Sequence, residues 1–263
     1  GIWQRGTSGF TTLGNYSADR WQITSNTSLS AVAQSSDVPS GFKYSLSVAG
    51  TSYPQVIQKI EAANCTDLVG QTVTVSFWLK QTSGAGANSI VAYLAYANAA
   101  DNFSAITVIS NAIITGTSSW AQYTATFTNL PAGAANGLQF TVYANTASTA
   151  TFLVTGVQLE KGTAATSFDF RPYGTELQLC QRYYETGSVW GFSYSSSGVQ
   201  IQRTLCPFQV VKRASPTTTV SAVSGSLTSP SFADIRTNMG WIGFGAASGG
   251  LEGLFTYTSS AEL

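Results

Sequence analysis

Apolar and polar side chains alternate along much of the first 170 residues. Val73, Val75, Phe77 and Leu79 occupy every second position of one segment, and polar or amphipathic residues lie between them. This period of two is typical of a strand that buries one face. The pattern recurs in two later segments and predicts strands over 123–127 and 138–143. Further strands are expected at 44–48, 55–60, 90–96, 105–109 and 151–159.

Turn-forming residues separate these strands at regular intervals, for example Pro131-Ala-Gly133 and Asn136-Gly137. The segment Asn64–Leu68 predicts one helical turn, which Asn64 could cap. Nine or ten strands without a long helix indicate two antiparallel sheets packed face to face.

A connector, Glu160–Gly174, follows the closing strand. Leu177, Cys180 and Tyr184 then share one helical face, which predicts a short helix over Thr175–Glu185. Five more strands are expected after it, at 189–194, 199–208, 217–223, 241–244 and 253–257. The fold class is therefore all-β, with a sandwich over 1–170, a smaller β domain over 171–263 and a short helix at the junction. The second domain is small for an independent core, so we expect it to pack against a neighbour or to oligomerise.

Composition narrows the classes of function. Charged residues make up 9% of the chain, and 12 basic and 12 acidic side chains give a net charge of zero. Nucleic-acid binders normally carry a clustered basic excess, so we expect no nucleic-acid partner. No apolar run approaches the length of a membrane span, and we expect no membrane insertion. Because the chain begins at Gly1 without a methionine, we expect it to be a fragment of a longer protein.

The sequence contains few of the residues that usually carry out catalysis or bind metal ions. The chain has no histidine, which removes Ser-His-Asp and Cys-His catalysis and imidazole metal ligands. No two acidic residues have a spacing typical of a glycosidase pair on one strand or helix face. The three cysteines, Cys65, Cys180 and Cys206, have unrelated spacings and are expected to be buried free thiols. We therefore predict no enzymatic activity and no cofactor.

Three segments carry a resemblance to a known class of proteins. The segment VQLEKGTAATSFDFRPYGTELQLCQRYYE (157–185) resembles the junction found in bacteriophage tail-fibre and virion-surface proteins. The start (Trp3-Gln-Arg-Gly-Thr, with Ala18-Asp-Arg-Trp21) and the end (Arg213–Thr217, then Tyr257–Leu263) fit the same class. The segments GQTVTVSFWLK and FLVTGVQLEKG resemble strands of jelly-roll carbohydrate-binding modules. The resemblance implies a protein on the virion surface that attaches to host glycans. It also implies that the protein forms a homotrimer and contacts other virion proteins.

Sugars bind to partly exposed aromatic rings flanked by hydrogen-bonding side chains. Trp78 and Tyr143 lie on the polar faces of their predicted strands, whereas the facing of 90–96 is ambiguous because that segment is apolar throughout. The alternative is that these rings are covered by a loop, by the second domain or by another subunit. The candidate glycan-binding residues are Trp78, Tyr143, Tyr93, Tyr96 and Gln139.

A second aromatic cluster, Trp190, Phe192 and Tyr194, shares one face of a strand in the second domain. Such a strand is either core, a subunit interface or a surface that faces a receptor. Jelly-roll sugar modules often carry a structural calcium ion, and Glu160 and Asp169 are the possible ligands here.

The favoured function is a non-catalytic virion protein, a tail fibre or a head fibre, that binds host glycans. Two alternatives stay open. One is a purely structural capsid-decorating or fibre-spacing protein, and the other is an accessory carbohydrate-binding module of a polysaccharide hydrolase.

Overall fold

The computed structural model describes residues 1–24, 28–195, 200–225, 228–246 and 249–263. The chain separates into two compact units. The first unit comprises Trp3–Phe170 with Gly1 and Leu263, and the second comprises Arg171–Glu262 with Ile2. Both units are built of antiparallel strands, and a short helix follows the first one, so the all-β prediction is confirmed.

The described residues of the first unit form ten strands. Sheet I has the strand order β1-β4-β9-β6-β7, and sheet II has the order β2-β3-β10-β5-β8. Every pairing within these sheets is antiparallel, as in a jelly-roll sandwich. The strands are β1 Trp21–Thr24, β2 Ser28–Ser35, β3 Ser45–Thr51, β4 Gln55–Ile60, β5 Val73–Ser83, β6 Ile90–Ala99, β7 Asn102–Ile114, β8 Ala121–Phe127, β9 Leu138–Ala144 and β10 Ala150–Lys161.

The core lies between sheets I and II. The alternating residues of β5, Val73 to Leu79, are fully buried, which confirms the predicted inward face. Phe77 of sheet II meets Phe140 of sheet I with ring centroids 5.8 Å apart. Burial of each large side chain of this kind contributes about 1.5–3 kcal/mol relative to leaving it exposed. Because the inward positions are fixed, the outward positions of the same strands are fixed too.

Several local expectations were wrong. Strand β7 extends from Asn102 to Ile114 rather than over 105–109, and β1 and β2 have no counterpart in the predictions. Two 3-10 turns, Ala62–Asn64 and Thr66–Leu68, replace the single helical turn. The residue that precedes the second turn is Cys65, and no side chain caps it.

Helix α1 spans Tyr173–Gln181. It begins two residues before the predicted start, Thr175, and ends four residues before the predicted end, Glu185. The predicted end is wrong because strand β11 already begins at Tyr184. Glu185 lies on β11 and is fully buried, so its burial is set by packing within the second unit rather than by a helical face.

In the part of the second unit that the structure describes, there are six strands. Sheet III has the order β11-β16-β13, and sheet IV has the order β12-β15-β14. The described residues of their core are Cys206, Phe208, Ile242, Phe244, Phe255 and Tyr257. The strands are β11 Tyr184–Ser195, β12 Gln200–Pro207, β13 Thr217–Gly225, β14 Thr228–Ala233, β15 Met239–Ala246 and β16 Gly249–Ser260.

Three strands of the second unit finish at the same end of the unit. Ser195 pairs with Gly249, and Gln200 pairs with Ala246. Gly225, the last residue of β13, pairs with Gly253 near the start of β16. The strands β11, β13 and β15 therefore all run towards the same end of the unit.

All three cysteines are free and buried, as predicted. Among the described residues, no helix has the length and apolar character needed to cross a membrane.

Candidate functional site

The outer face of sheet I presents two tyrosines on neighbouring central strands. Tyr143 of β9 is paired with Val91 of β6, and the next outward residue of β6 is Tyr93. The two rings are half-buried and meet edge to face, with centroids 6.2 Å apart and an interplanar angle of 68°. This geometry holds both rings in a fixed orientation at the surface of the sheet.

An amide side chain stands beside each of these rings. Asn111 of β7 is the cross-strand partner of Tyr93, and Gln55 of β4 is the partner of Tyr143. Asn111 is exposed and Gln55 is half-buried. Directly paired residues have Cβ atoms about 4.5–5.5 Å apart, so each amide can contact a ligand that touches the adjacent ring.

A third tyrosine lies near this pair. Tyr53 follows β3 in a turn where both Ser52 and Tyr53 have φ of 60°. The left-handed conformation is uncommon for side chains of this size, and it costs on the order of 1–3 kcal/mol per residue. The amide nitrogen of Tyr53 donates to the carbonyl oxygen of Thr146 at 2.8 Å, which helps to hold the turn in place.

The hydroxyl of Tyr143 stays protonated at neutral pH. Burial raises its pKa above the usual value, and the neighbouring Tyr93 and Tyr53 phenols raise the pKa further. Tyr143 is therefore a neutral group that can both donate and accept a hydrogen bond.

Two of the sequence-predicted residues lie in sheet I but are not part of this surface. Gln139 is buried, and its amide nitrogen lies 3.2 Å from the hydroxyl of Thr141, which is also buried. Tyr96 pairs with Leu138, and its side chain packs against the core of the first unit. A Cβ atom on Gly133 would lie 2.2 Å from the Tyr96 ring, so this ring fills the space that the glycine leaves open. Tyr96 faces inward and is therefore not on the surface formed by Tyr93 and Tyr143.

Trp78 also lies apart from the tyrosine pair. It belongs to β5 of sheet II, whereas Tyr143 belongs to sheet I, so the two rings are on opposite outer faces of the sandwich. Their grouping in one site was wrong because alternation within a strand does not say which sheet the strand joins. A Cβ atom on Gly156 would lie 2.6 Å from the Phe42 ring and 3.2 Å from the Trp78 ring. Trp78 is thus half-buried beside Phe42, a residue of the 36–44 loop.

This loop is fastened to sheet II by Asp37. One carboxylate oxygen accepts a hydrogen bond from Lys80 Nζ at 2.6 Å, and the other accepts from Trp120 Nε1 at 2.8 Å. Both bonds hold the pKa of Asp37 below its usual value, and the bond from Lys80 has the larger effect. The half-buried Trp78 ring thus lies beside a loop that is hydrogen-bonded to sheet II, and its part in glycan binding stays a prediction.

In the second unit, Trp190 and Phe192 lie on the outer face of sheet III, where 61% and 68% of their surfaces are exposed. The side chain of Tyr194, the third member of the predicted cluster, lies outside the described residues. The two described rings are not part of the second unit's core cluster.

The carboxylate of Glu160, one of the two acids proposed as calcium ligands, accepts hydrogen bonds from the backbone amide and the hydroxyl of Thr166. The backbone amide of Asp169, the other acid, donates to the side-chain oxygen of Gln158. In the part of the chain that the structure describes, no three His, Cys, Asp or Glu side chains are grouped so that they could hold a metal ion.

The sequence pattern missed Gln55, Asn111 and Tyr53. The predicted strand ended at residue 109, so Asn111 fell outside it, and cross-strand partners leave no signal within a single strand. Rings held edge to face, with an amide beside each, suit a ligand that offers apolar C–H faces and hydroxyl groups together. The fold and this surface define the class of sugar-binding β-sandwiches.

The chain belongs to the carbohydrate binding domain family, whose sequence model matches residues 9–149. The match includes all five surface residues described above: Tyr53, Gln55, Tyr93, Asn111 and Tyr143. A search of the curated proteins found no match.

Solved structures similar to this chain include sugar-binding domains and a phage protein. A putative sugar-binding protein from Bacteroides thetaiotaomicron is 13% identical, with a TM-score of 0.42 over 61% of this chain and 99% of that one. The CBM22-1 xylan-binding domain of Paenibacillus barcinonensis Xyn10C is 14% identical, with a TM-score of 0.39 over 59% and 94%. The enzymatically active domain of bacteriophage CBA120 tailspike protein 4 is 15% identical, with a TM-score of 0.40 over 54% of this chain but only 19% of that one. Similarities at this level carry no argument about ligand or activity.

The first unit is therefore a carbohydrate-binding domain, and a domain of this kind is non-catalytic. The family match does not extend over residues 150–263.

Proposed function

We propose that the first unit binds glycan through the tyrosine pair on the outer face of sheet I, and that the chain acts as a non-catalytic attachment protein on a virion surface. The observation that carries the binding site is the pair Tyr93 and Tyr143, held edge to face with Asn111 and Gln55 beside them. The rings would stack on sugar C–H faces while the amides bond sugar hydroxyls.

Binding by a single shallow site of this kind is weak, and repetition of the site strengthens it. Several copies on one particle convert later contacts into intramolecular ones, which can raise the overall affinity by about 10²–10⁴. The resemblance of residues 157–185 to the junction of phage fibre proteins supports placement on a virion, beside other virion proteins.

Affinity gel electrophoresis with embedded soluble polysaccharides tests the binding site. Tyr93→Ala and Tyr143→Ala should each weaken retardation by about tenfold, which corresponds to about 1.4 kcal/mol. Tyr93→Phe, which keeps the ring, should retain most of the binding. Trp78→Ala is the matched control because it removes an aromatic ring from the opposite sheet, and it should leave retardation unchanged. Equal losses from Trp78→Ala and Tyr143→Ala would contradict the site.

The virion location has a separate test. Antibodies against the purified chain should label intact phage particles from the source strain in electron micrographs, and the gene should lie among tail or capsid genes. The second candidate function, an accessory module of a polysaccharide hydrolase, is favoured by the family match to a binding domain. A hydrolase domain encoded in the same reading frame would replace the virion proposal with this one, while leaving the binding site intact.

We assign the proposed homotrimer contact to the outer face of sheet IV. Leu205 and Trp241 are cross-strand partners there, and 41% and 37% of their surfaces are exposed. Apolar side chains that are exposed side by side could form the centre of such a contact. Light scattering after gel filtration should give three times the 27.6 kDa chain mass, and Leu205→Ser should reduce it. A monomeric wild-type chain would refute the trimer.

A further inference from the structure

The outer face of sheet III combines exposed rings with an ordered set of hydroxyl groups. Its strands place Ser188, Thr256 and Ser221 in one cross-strand row and Thr186, Thr258 and Thr219 in the next. The rows are separated by about 6.8 Å along the strands, and neighbouring strands are about 4.8 Å apart. The face dips into a shallow depression at these six residues. It is thus a two-dimensional array of small hydroxyl side chains.

Two aromatic rings adjoin this array along β11. Trp190 and Phe192 follow Ser188 at every second position, so all three side chains are on the same face of the strand. Their cross-strand partners on β16 are Leu254 and Glu252. Both rings are more than 60% exposed. A ligand that lies along β11 would therefore contact both the rings and the neighbouring hydroxyl groups.

The charge of the face restricts what it can bind. Among the described residues that the strand registers place on it, Glu252 alone is charged, and none is basic. Nucleic acids and acidic polymers bind proteins through clustered lysine and arginine, so this face offers them no counter-charge. The face therefore disfavours an anionic occupant and suits an uncharged one.

The residue types also distinguish a glycan from a protein partner. Serine is depleted in the cores of protein–protein interfaces, and both serine and threonine are under-represented among the residues that dominate their binding energy. A sheet face with six Ser and Thr hydroxyls at its centre and rings along one strand is a poor match to such a core. An uncharged carbohydrate chain has both the C–H faces that stack on rings and the hydroxyls that pair with hydroxyls.

From this arrangement we infer that the outer face of sheet III is a second carbohydrate-binding surface, specific for uncharged polysaccharide and distinct from the tyrosine pair of sheet I. Trp190 and Phe192 provide the stacking surface, and the row Ser188, Thr256 and Ser221 supplies the nearest hydrogen-bonding groups. One chain then carries two binding surfaces, one in each unit.

Affinity gels at pH 8.5, above the chain's pI of about 6.4, test this inference on the full chain. The gels contain hydroxyethyl cellulose, xylan, galactomannan or, as an anionic control, polygalacturonate. The starting variant carries Tyr93→Ala and Tyr143→Ala, which removes the rings of the first surface. At least one neutral polysaccharide should still retard it, and addition of Trp190→Ala and Phe192→Ala should weaken that residual binding at least tenfold. Tyr173→Ala, which removes an exposed ring from helix α1, should leave it unchanged.

Three results would overturn the inference. These are residual binding that survives Trp190→Ala and Phe192→Ala, no retardation of the starting variant by any neutral polysaccharide, and retardation by polygalacturonate alone. A change of mass in light scattering without a change in retardation would identify the face as a subunit contact instead, and would equally refute it. Thermal melts of each variant confirm that the exposed-ring changes leave the fold intact.

The two proposals fail separately. If Tyr93→Ala and Tyr143→Ala leave wild-type binding intact while the sheet III changes abolish it, the proposed site on sheet I is wrong and the inference stands. If the starting variant loses all binding, the site on sheet I stands and the inference falls.

Discussion

Removal of the buried lysine Lys212 should destabilise the second unit far more than removal of an exposed lysine with the same ion-pair geometry. Lys212 Nζ lies 2.6 Å from a carboxylate oxygen of Glu185, and both side chains are inaccessible to solvent. Lys212 Nζ also donates to the carbonyl oxygen of Gln181 at 2.5 Å. The burial lowers the pKa of Lys212, although its contact with Glu185 opposes that shift.

The magnitude follows from what Lys212→Met leaves behind. The Glu185 carboxylate would stay buried, with the Tyr257 hydroxyl at 2.8 Å and the amide nitrogen of Gln209 as its remaining donors. Loss of one partner of a buried pair costs about 3–5 kcal/mol. Because two donors remain, we expect a loss near the lower end, about 3 kcal/mol.

Lys161→Met is the matched control. Lys161 and Asp67 are also 2.6 Å apart, but 49% and 68% of their side-chain surfaces are exposed. An exposed pair contributes about 0–1 kcal/mol, so this change should be nearly silent. Glu185→Gln combined with Lys212→Met should recover part of the loss, since it removes the orphaned charge while keeping an acceptor for Tyr257 and Gln209.

Differential scanning calorimetry of the full chain measures these effects. For a unit of this size, about 3 kcal/mol lowers the Tm by roughly 12–24 °C. Equal Tm changes for Lys212→Met and Lys161→Met would refute the argument, because burial would then make no difference. Failure of the double variant to exceed Lys212→Met in Tm would show that the orphaned carboxylate is not the source of the loss.

Two further changes test the first unit. Burial raises the pKa of the Cys65 thiol to about 11, above its usual 9.0. Between pH 9 and 11 the unfolded chain therefore binds fewer protons than the folded one, and the thiol's contribution of about 2–3 kcal/mol is lost as pH rises. Denaturant titrations at pH 8 and 10.5 should show a smaller pH-dependent loss for Cys65→Ala than for wild type, and identical losses would contradict this assignment. Gly156→Ala should destabilise by about 1–3 kcal/mol, because φ is +59° and the new Cβ would lie 2.6 Å from the Phe42 ring. Gly70→Ala, at φ +72° with open space around it, isolates the backbone part of that cost, and an equal loss from both changes would show that Phe42 does not matter.

The sequence predicts the parts of this fold that depend on one strand at a time. The alternation of Val73, Val75, Phe77 and Leu79 gives the inward face of β5 correctly, because one face of that strand is apolar. The same rule fails for 90–96, since outward residues such as Val91 and Ala95 are also buried there. Tyr93 and Tyr96 look equivalent in that run, yet one faces out and the other packs on the core.

The candidate site was only partly predictable because it depends on pairing between distant segments. The alternation within its own strand identifies Tyr143, whereas it does not separate Tyr93 from Tyr96. It also places Trp78 with Tyr143, although the strand of Trp78 joins the other sheet. Gln55 and Asn111 become neighbours of the rings only through the registers of β4 and β7. Glu185 shows the same limit in the second unit. Its neighbours suggested a helix, but its buried partner Lys212 is 27 positions away.

In the second unit, the buried ion pair that stabilises the fold lies far from the strand ends at which the sequence could vary. The buried pair Glu185 and Lys212 lies near the start of β11, whereas β11, β13 and β15 finish together at the far end, at Ser195, Gly225 and Ala246. Peptide inserted after any of these three residues would leave the charged network untouched. The unit is therefore suited to diversification, by natural drift or by library construction, with its anchoring residues held constant.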